Sequence, residues 1–195
     1  AIWLTSNTRF TSIYGNILNG NAGEGIFLEF SSDNRVEYNQ IIRSGGSGII
    51  MTSGGNNVVM DNTLSGNGGL GIMVGEELLP SNNNRIERNT INEGQGGIGV
   101  ADSTGNQILY NVVRATTGPG VVLDLARNTL MRGNDLRANA SGIDISESTD
   151  NRIEGNNASG TLGSGISVDA LSYNNTVIQN LASQNGGSGI ELEGS

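Results

Sequence analysis

Apolar residues recur along the chain in alternating pairs that follow a glycine, about once every 23 residues. In an extended strand, Ile26 and Leu28 point to one face and Phe27 points to the other. A fixed period of this length predicts a solenoid in which each repeat forms one coil. The leading inward position is apolar in every repeat: Ile2, Ile26, Ile49, Ile72, Ile98, Val121, Ile143, Ile166 and Ile190.

Two further apolar positions share this period, in the unit Asn-x-Φ-x-x-Asn-x-Φ, where Φ is apolar; residues 34–41 are one copy. Each coil is therefore predicted to contain three short strands. Asparagine tolerates left-handed backbone and bonds backbone groups in tight turns, so we expect its copies to bond from coil to coil. The unbroken column is Asn16, Asn39, Asn62, Asn89, Asn111, Asn134, Asn156 and Asn180. The glycine before each first strand is expected to serve positive φ or close backbone approach.

These patterns predict an all-β, single-stranded parallel β-helix of about eight coils, with three short parallel sheets around one apolar core and no capping helix. Because the repeat is unbroken, we expect a single domain over residues 1–195. Solenoid ends need polar caps, and none precedes the first strand or follows the last. We therefore expect either a piece of a larger protein or a module that associates end to end.

The chain contains no Cys, His or Lys, and its formal net charge is −9. Without thiolate or imidazole ligands, disulfides and Cys/His metal sites are excluded. The ten cations are scattered arginines, so we expect no nucleic-acid partner, which would need clustered positive charge. No apolar run is long enough to predict a membrane span. An acidic, lysine-free composition favours an extracellular, cell-surface or periplasmic location.

The Asn-x-Ile-x-x-Asn-x-Ile and Gly-Ile-x-Leu units resemble the repeats of the right-handed parallel β-helix family, which includes the pectin-lyase-like superfamily and a NosD-like repeat group. The resemblance covers essentially the whole chain and implies right-handed coils. It implies no single function, because this scaffold carries lyases, hydrolases, epimerases, tailspikes and passive surface modules. The Asp-Pro-His-Glu signature of alginate epimerases and the polygalacturonase motifs are absent from this sequence.

The middle residue of the Gly-Ile-x-Leu unit points outward and is apolar in the first repeats. We call Trp3, Phe27, Ile50 and Met73 the apolar stripe and predict them as candidate ligand-binding residues. Exposed apolar patches mark interfaces. Trp3 and Phe27 could stack on sugar rings; alternatively, a loop, a neighbouring domain or another chain covers the stripe.

One coil carries an insertion, over residues 75–83. Insertions on repeat scaffolds often lie on the binding face. Leu78 and Leu79 within it are expected to fold over the stripe near Met73, which would be a structural role.

The same face becomes acidic toward the C-terminus, at Asp124, Asp144, Asp169 and Glu191. Strand spacings place the carboxylates of Asp124 and Asp144 roughly 7–9 Å apart, which overlaps the separation in inverting glycoside hydrolases. Asp124, Asp144 and Asp169 are therefore candidate catalytic residues. All four are candidate ligands for Ca²⁺, the one cofactor considered, because it prefers oxygen. A plain solvated acidic face is the alternative.

The sequence thus favours a non-catalytic extracellular module with a structural, adhesive or polysaccharide-binding role. Its partner would be a polysaccharide, or another protein that covers the apolar stripe. The alternative is a polysaccharide lyase or glycoside hydrolase that uses the acidic face. A NosD-like role in metal-site maturation is more remote, because the chain has no His and no Cys.

Overall fold

The computed structural model describes residues 1–193, which contain 22 short strands and no helix. In chain order the strands are β1 (Ile2–Leu4), β2 (Ser12–Tyr14), β3 (Ile17–Asn19), β4 (Ile26–Glu29), β5 (Arg35–Glu37), β6 (Gln40–Ile42), β7 (Ile49–Thr52), β8 (Val58–Met60), β9 (Thr63–Ser65), β10 (Leu70–Val74), β11 (Arg85–Glu87), β12 (Thr90–Asn92), β13 (Gly96–Ala101), β14 (Gln107–Leu109), β15 (Val112–Arg114), β16 (Pro119–Asp124), β17 (Leu130–Arg132), β18 (Ser141–Ser146), β19 (Arg152–Glu154), β20 (Ile166–Val168), β21 (Thr176–Ile178) and β22 (Ile190–Leu192). Within the same residues, no helix is long and apolar enough to cross a membrane.

Each strand pairs in parallel with the corresponding strand of the next coil, which produces a right-handed β-helix of about eight turns. The nine-stranded sheet runs β1-β4-β7-β10-β13-β16-β18-β20-β22, and the eight-stranded sheet runs β2-β5-β8-β11-β14-β17-β19-β21. The five-stranded sheet contains β3, β6, β9, β12 and β15. It continues as single bridges through Asp135, Asn157 and Leu181. The predicted three-sheet architecture is confirmed.

The predicted inward residues form one continuous core along the axis. Ile26, Ile72 and Ile143 are fully buried, and their strands align in register from coil to coil. Ile190 and Leu192 are exposed because no further coil covers them within the described residues. Each fully buried Ile or Leu contributes roughly 1.5–3 kcal/mol, so the coils between the two outermost ones carry most of the stability.

Asparagine side chains bond neighbouring coils at the corner between the eight-stranded and five-stranded sheets. The backbone N–H and the Nδ2 group of Asn89 both donate to Oδ1 of Asn111, at 2.9 and 3.0 Å. Nδ2 of Asn111 in turn donates to the Ile86 carbonyl at 2.9 Å. The same pattern joins Asn16, Asn39, Asn62, Asn89, Asn111, Asn134, Asn156 and Asn180. These amides satisfy backbone groups that the turn removes from the sheets.

Left-handed backbone falls on the residue before each corner asparagine rather than on the asparagine itself. Tyr38 and Asp61 both have φ of 55°. The glycines that precede the first strands serve close approach: a Cβ on Gly97 would lie 2.0 Å from the Gly120 carbonyl oxygen. Of the two roles predicted for these glycines, positive φ and close backbone approach, the structure shows close backbone approach.

Candidate functional site

The apolar stripe exists as a stacked column on the nine-stranded sheet. Trp3 and Phe27 are in register and pack edge to face, with ring centroids 5.8 Å apart. Trp3 is 63 % exposed, whereas Ile50 is only 8 % exposed. The stripe thus offers one accessible aromatic ring rather than a continuous platform, and its role as a ligand site stays a prediction.

The insertion does not cover the apolar stripe as predicted for Leu78. That side chain is 81 % exposed, because its backbone N–H is held by Asp102 Oδ2 at 3.2 Å. Glu76 and Leu79 close the loop through an antiparallel bridge. The stripe near Met73 is instead continued by Leu70, whose Cδ1 would lie 2.5 Å from a Cβ on Gly99.

The two central acidic candidates lie on neighbouring strands of the nine-stranded sheet. Asp144 is in register with Val122, and Asp124 is in register with Ser146, so two residue positions separate the carboxylates along the strand direction. Asp144 is half-buried and accepts a hydrogen bond from Ser141 Oγ at 2.8 Å. Burial raises the pKa of Asp144, and the Ser141 hydroxyl offsets this only in part.

The other two acidic candidates are engaged in local hydrogen bonds. Asp169 accepts from Ser146 Oγ and Ser172 Oγ, both at 2.8 Å. Burial alone would raise the pKa of Asp169, but these hydroxyls and the backbone N–H groups of Glu147 and Leu171 together outweigh burial and lower it. Glu191 accepts from Ser164 Oγ at 2.9 Å. In the part of the chain that the structure describes, no three carboxylates gather into a metal-binding group. The Ca²⁺ site therefore stays a prediction.

A second surface, which the sequence reasoning did not single out, lies at the edge of the eight-stranded sheet. We call Tyr38, Asp61, Arg88 and Tyr110 the corner column. Each precedes a corner asparagine and has a φ between 50° and 55°. This backbone turns the four side chains outward from successive coils. The signal was present in the sequence, one position before the asparagine column, but only the turn geometry shows that these residues share a direction.

The middle of the corner column is a bidentate ion pair. Arg88 Nε and Nη2 donate to the two carboxylate oxygens of Asp61, each at 2.9 Å. The Arg88 hydrogen bond lowers the pKa of Asp61, and the Asp61 charge raises the pKa of Tyr38. Tyr38 also packs against Tyr14, with ring centroids 5.2 Å apart and the planes tilted by 58°. Planar groups thus follow one another along the corner.

Tyr110 forms the other end of the corner column. Its ring lies against the backbone of the next coil, because a Cβ on Gly133 would come within 2.6 Å of Tyr110 Cδ1 and Cε1. Glycine at this position therefore lets the ring lie flat while it remains 51 % exposed. Beside it, Glu154 accepts from Arg132 at 3.0 Å and from Arg152 at 2.9 Å.

The fold and these outward columns define a parallel β-helix whose coils present different chemistry on each face. A family model described as "Right handed beta helix region" matches residues 1–157 and 125–195. The chain therefore belongs to the right-handed β-helix family. The match does not single out the NosD-like group. No curated protein matches the sequence closely enough to count as a relative.

Solved structures share the fold at low sequence identity. A double mutant of the periplasmic alginate epimerase AlgG superposes with a TM-score of 0.74 at 15 % identity, covering 94 % of this chain and 56 % of that one. Pectate lyase Pel9A gives 0.67 at 13 %, covering 96 % and 64 %. A tailspike of an E. coli bacteriophage, in complex with a pentasaccharide, gives 0.67 at 12 %, covering 87 % and 43 %. The chain thus spans between 43 % and 64 % of their lengths.

Proposed function

We propose that this β-helix is a non-catalytic module that binds a polysaccharide along the corner column, in an extracellular or periplasmic setting. The observation that carries the proposal is the order of groups along one corner: an exposed tyrosine, a paired carboxylate and guanidinium, and a second exposed tyrosine. Tyr38 is 54 % exposed, so both rings are open to a ligand.

The chemistry of the corner column suits a chain of sugar rings. Aromatic rings offer a large apolar face at small entropic cost, and the C–H face of a sugar ring packs against it. Carboxylate and guanidinium groups form charge-assisted hydrogen bonds, which suit sugar hydroxyls. Neighbouring coils are about 4.8 Å apart, so the backbones of Tyr38 and Tyr110, three coils apart, are separated by about 14 Å. That span fits an extended oligosaccharide better than a single ring.

The structural neighbours support this class of ligand. AlgG and Pel9A are named for the polysaccharides alginate and pectate, and the tailspike is described with a bound pentasaccharide. AlgG is described as periplasmic, in agreement with the proposed setting.

A polysaccharide array, read for binding and for release of reducing or unsaturated ends, tests the proposal. Tyr38→Ala and Tyr110→Ala should each weaken binding of the wild-type ligand by about tenfold, since each removes one stacking platform. Tyr173→Ala is the matched control, because Tyr173 is at least as exposed as Tyr38 and Tyr110 but lies outside the corner column. Unchanged binding by the double variant would refute the proposal.

A lyase or hydrolase remains the second candidate, and Asp144 favours it. A general acid needs a raised pKa, and burial raises the pKa of Asp144 while Asp124 lies on the adjacent strand. The same array decides between the two functions. Product release by the wild type that is lost in Asp144→Asn, but kept in the exposed control Asp150→Asn, would replace the non-catalytic proposal.

A further inference from the structure

A shallow groove of about 300 Å³ lies on the five-stranded side of the helix, away from the corner column and the acidic face. Arg114 and Arg137 occupy the same outward position in neighbouring coils, and Ser159 follows them in the next coil. The groove is lined by Arg114, Arg137, Ala138, Ser159, Gly160 and Gln184.

The groove owes its depth to small residues at a turn. Ala138 and Gly160 have φ of 59° and 67°, at the turn position that carries Arg43 and Glu93 in earlier coils. A Cβ on Gly160 would meet no atom within 4 Å, so the space beside Ser159 is open. Long side chains would otherwise lie where the groove is.

The groove carries excess positive charge in a chain whose net charge is −9. Asp135 is shared by two arginines: Arg137 donates through Nε at 2.8 Å and Nη2 at 2.9 Å, and Arg114 donates through Nη2. The Arg137 hydrogen bond, aided by Arg114, lowers the pKa of Asp135 to about 2, so this carboxylate stays ionised near neutral pH. Two guanidinium groups against one carboxylate leave one positive charge.

Both arginines keep donors outside this pairing. The bonds to Asp135 use neither Nη1 group, and a guanidinium carries five N–H donors. Nε of Arg114 is buried and has no partner among residues 1–193. An anion beside the two arginines would therefore meet the unused Nη1 donors of both guanidinium groups.

We propose that this groove is a second binding site, which takes the anionic group of an acidic sugar unit, a carboxylate or a sulfate ester. The part of this inference that names a sugar rests on the proposed function. The part that names an anionic group rests on the charge of the groove alone. Ser159 and Gln184 line the groove, and the carboxamide of the exposed Gln184 suits a hydroxyl-bearing ring. An acidic peptide would carry the same negative charge. The groove suits a peptide less well, because Ala138 is the one apolar side chain in this lining that could contact the side chains of a peptide.

Isothermal calorimetry with four trimers tests the inference: trigalacturonate, sulfated maltotriose, maltotriose and triglutamate. Gln184→Glu places a negative charge in the groove lining, and no side-chain hydrogen bond of Gln184 is described in residues 1–193. Its matched control is Gln179→Glu, since both glutamines are exposed, have φ of 56° and lie in the same coil. We expect an acidic trisaccharide to bind about tenfold more weakly to Gln184→Glu and unchanged to Gln179→Glu.

Arg137→Gln is the second variant, because glutamine keeps a donor for Asp135 while one charge is lost. It should lower the affinity at least tenfold and flatten its dependence on NaCl, with thermal unfolding measured in parallel to show that the variant is folded. Whichever acidic trisaccharide binds more tightly identifies the anion as carboxylate or sulfate.

Three results would overturn the inference. Equal affinity for maltotriose and both acidic trisaccharides would show that the groove does not select an anion. Tighter binding of triglutamate would assign it to a peptide. If Gln184→Glu and Arg137→Gln both bind the acidic trisaccharides as the wild type does, the anionic group binds outside this groove. That result would leave the proposed function intact. If no trisaccharide binds the wild type, the sugar proposal itself fails.

Discussion

The nine-stranded and eight-stranded sheets both place apolar residues toward the core, but their outward carboxylates have different hydrogen-bond partners. On the nine-stranded sheet, the outward carboxylates of Asp144 and Glu191 accept hydrogen bonds from the hydroxyls of Ser141 and Ser164. On the eight-stranded sheet, the outward carboxylates of Glu37, Glu87 and Glu154 instead pair with arginines, as in Arg85 with Glu87 at 2.6 Å. The apolar core that the sheets share therefore does not indicate a function, and the exposed residues distinguish one face from another.

Removing an asparagine from the corner should have the largest effect, because it breaks the support beneath the corner column. In Asn111→Ala, the N–H of Asn89 and the carbonyl of Ile86 lose buried partners. At about 1–3 kcal/mol for each unsatisfied group, the free energy of unfolding should fall by about 4 kcal/mol. Urea denaturation measures the loss.

Asn19→Ala is the control, because Asn19 is exposed on β3 and should cost no more than about 0.5 kcal/mol. Equal losses for the two variants would show that the corner amides contribute nothing special.

The second largest loss of stability should come from adding a methyl group at the start of a first strand, in the nine-stranded sheet. In Gly142→Ala, the added Cβ would lie 2.2 Å from the Gly165 carbonyl oxygen and 2.6 Å from Ala158 Cβ. We expect a loss of about 1–3 kcal/mol, because the backbone must shift. Gly23→Ala, where a Cβ meets no atom within 4 Å, should be neutral or slightly stabilising. A neutral Gly142→Ala would mean that the coils can separate freely.

The core was predictable from sequence because burial imposes a strict period. Ile98 and Val121 occupy corresponding inward positions of neighbouring coils, and both are apolar because both are buried. The corner column was not predictable in this way, since nothing repeats in its side chains. Its residues share a direction only through the left-handed turn at Tyr38, Asp61, Arg88 and Tyr110.

The insertion shows a second limit of sequence reasoning. Two adjacent leucines favoured a covering role, yet the bond from Leu78 N–H to Asp102 holds Leu78 outward. Such a contact spans one coil and depends on the loop conformation. The third sheet is also shorter than predicted, because Asp135, Asn157 and Leu181 continue it only as single bridges.

The smallest effects should come from pH, and they should have opposite signs at Asp144 and at Asp61. Asp144 has a raised pKa, so its ionisation opposes folding as pH rises through and above the unfolded value of 3.8. Asp144→Asn should therefore gain stability relative to the wild type between pH 3 and pH 6. Asp61 has a lowered pKa, so its contribution is present above 3.8 and is lost as pH falls below it.

Asp61→Asn should accordingly lose stability relative to the wild type at pH 6 and less at pH 3, by under about 1 kcal/mol for an exposed pair. Denaturant unfolding of both variants across this range measures the two slopes. Slopes of the same sign would contradict the opposite pKa shifts of these two carboxylates.

Parallel pairing gives this protein a direction as well as a surface. Every named strand runs the same way as its neighbour in the sheet, so no two-fold axis relates one end of the corner column to the other. A linear sugar chain also has two chemically different ends. If it lies along the column, one orientation places its reducing end beside Tyr38 and the other beside Tyr110. These two complexes differ in free energy, so the β-helix would bind such a polymer preferentially in one orientation.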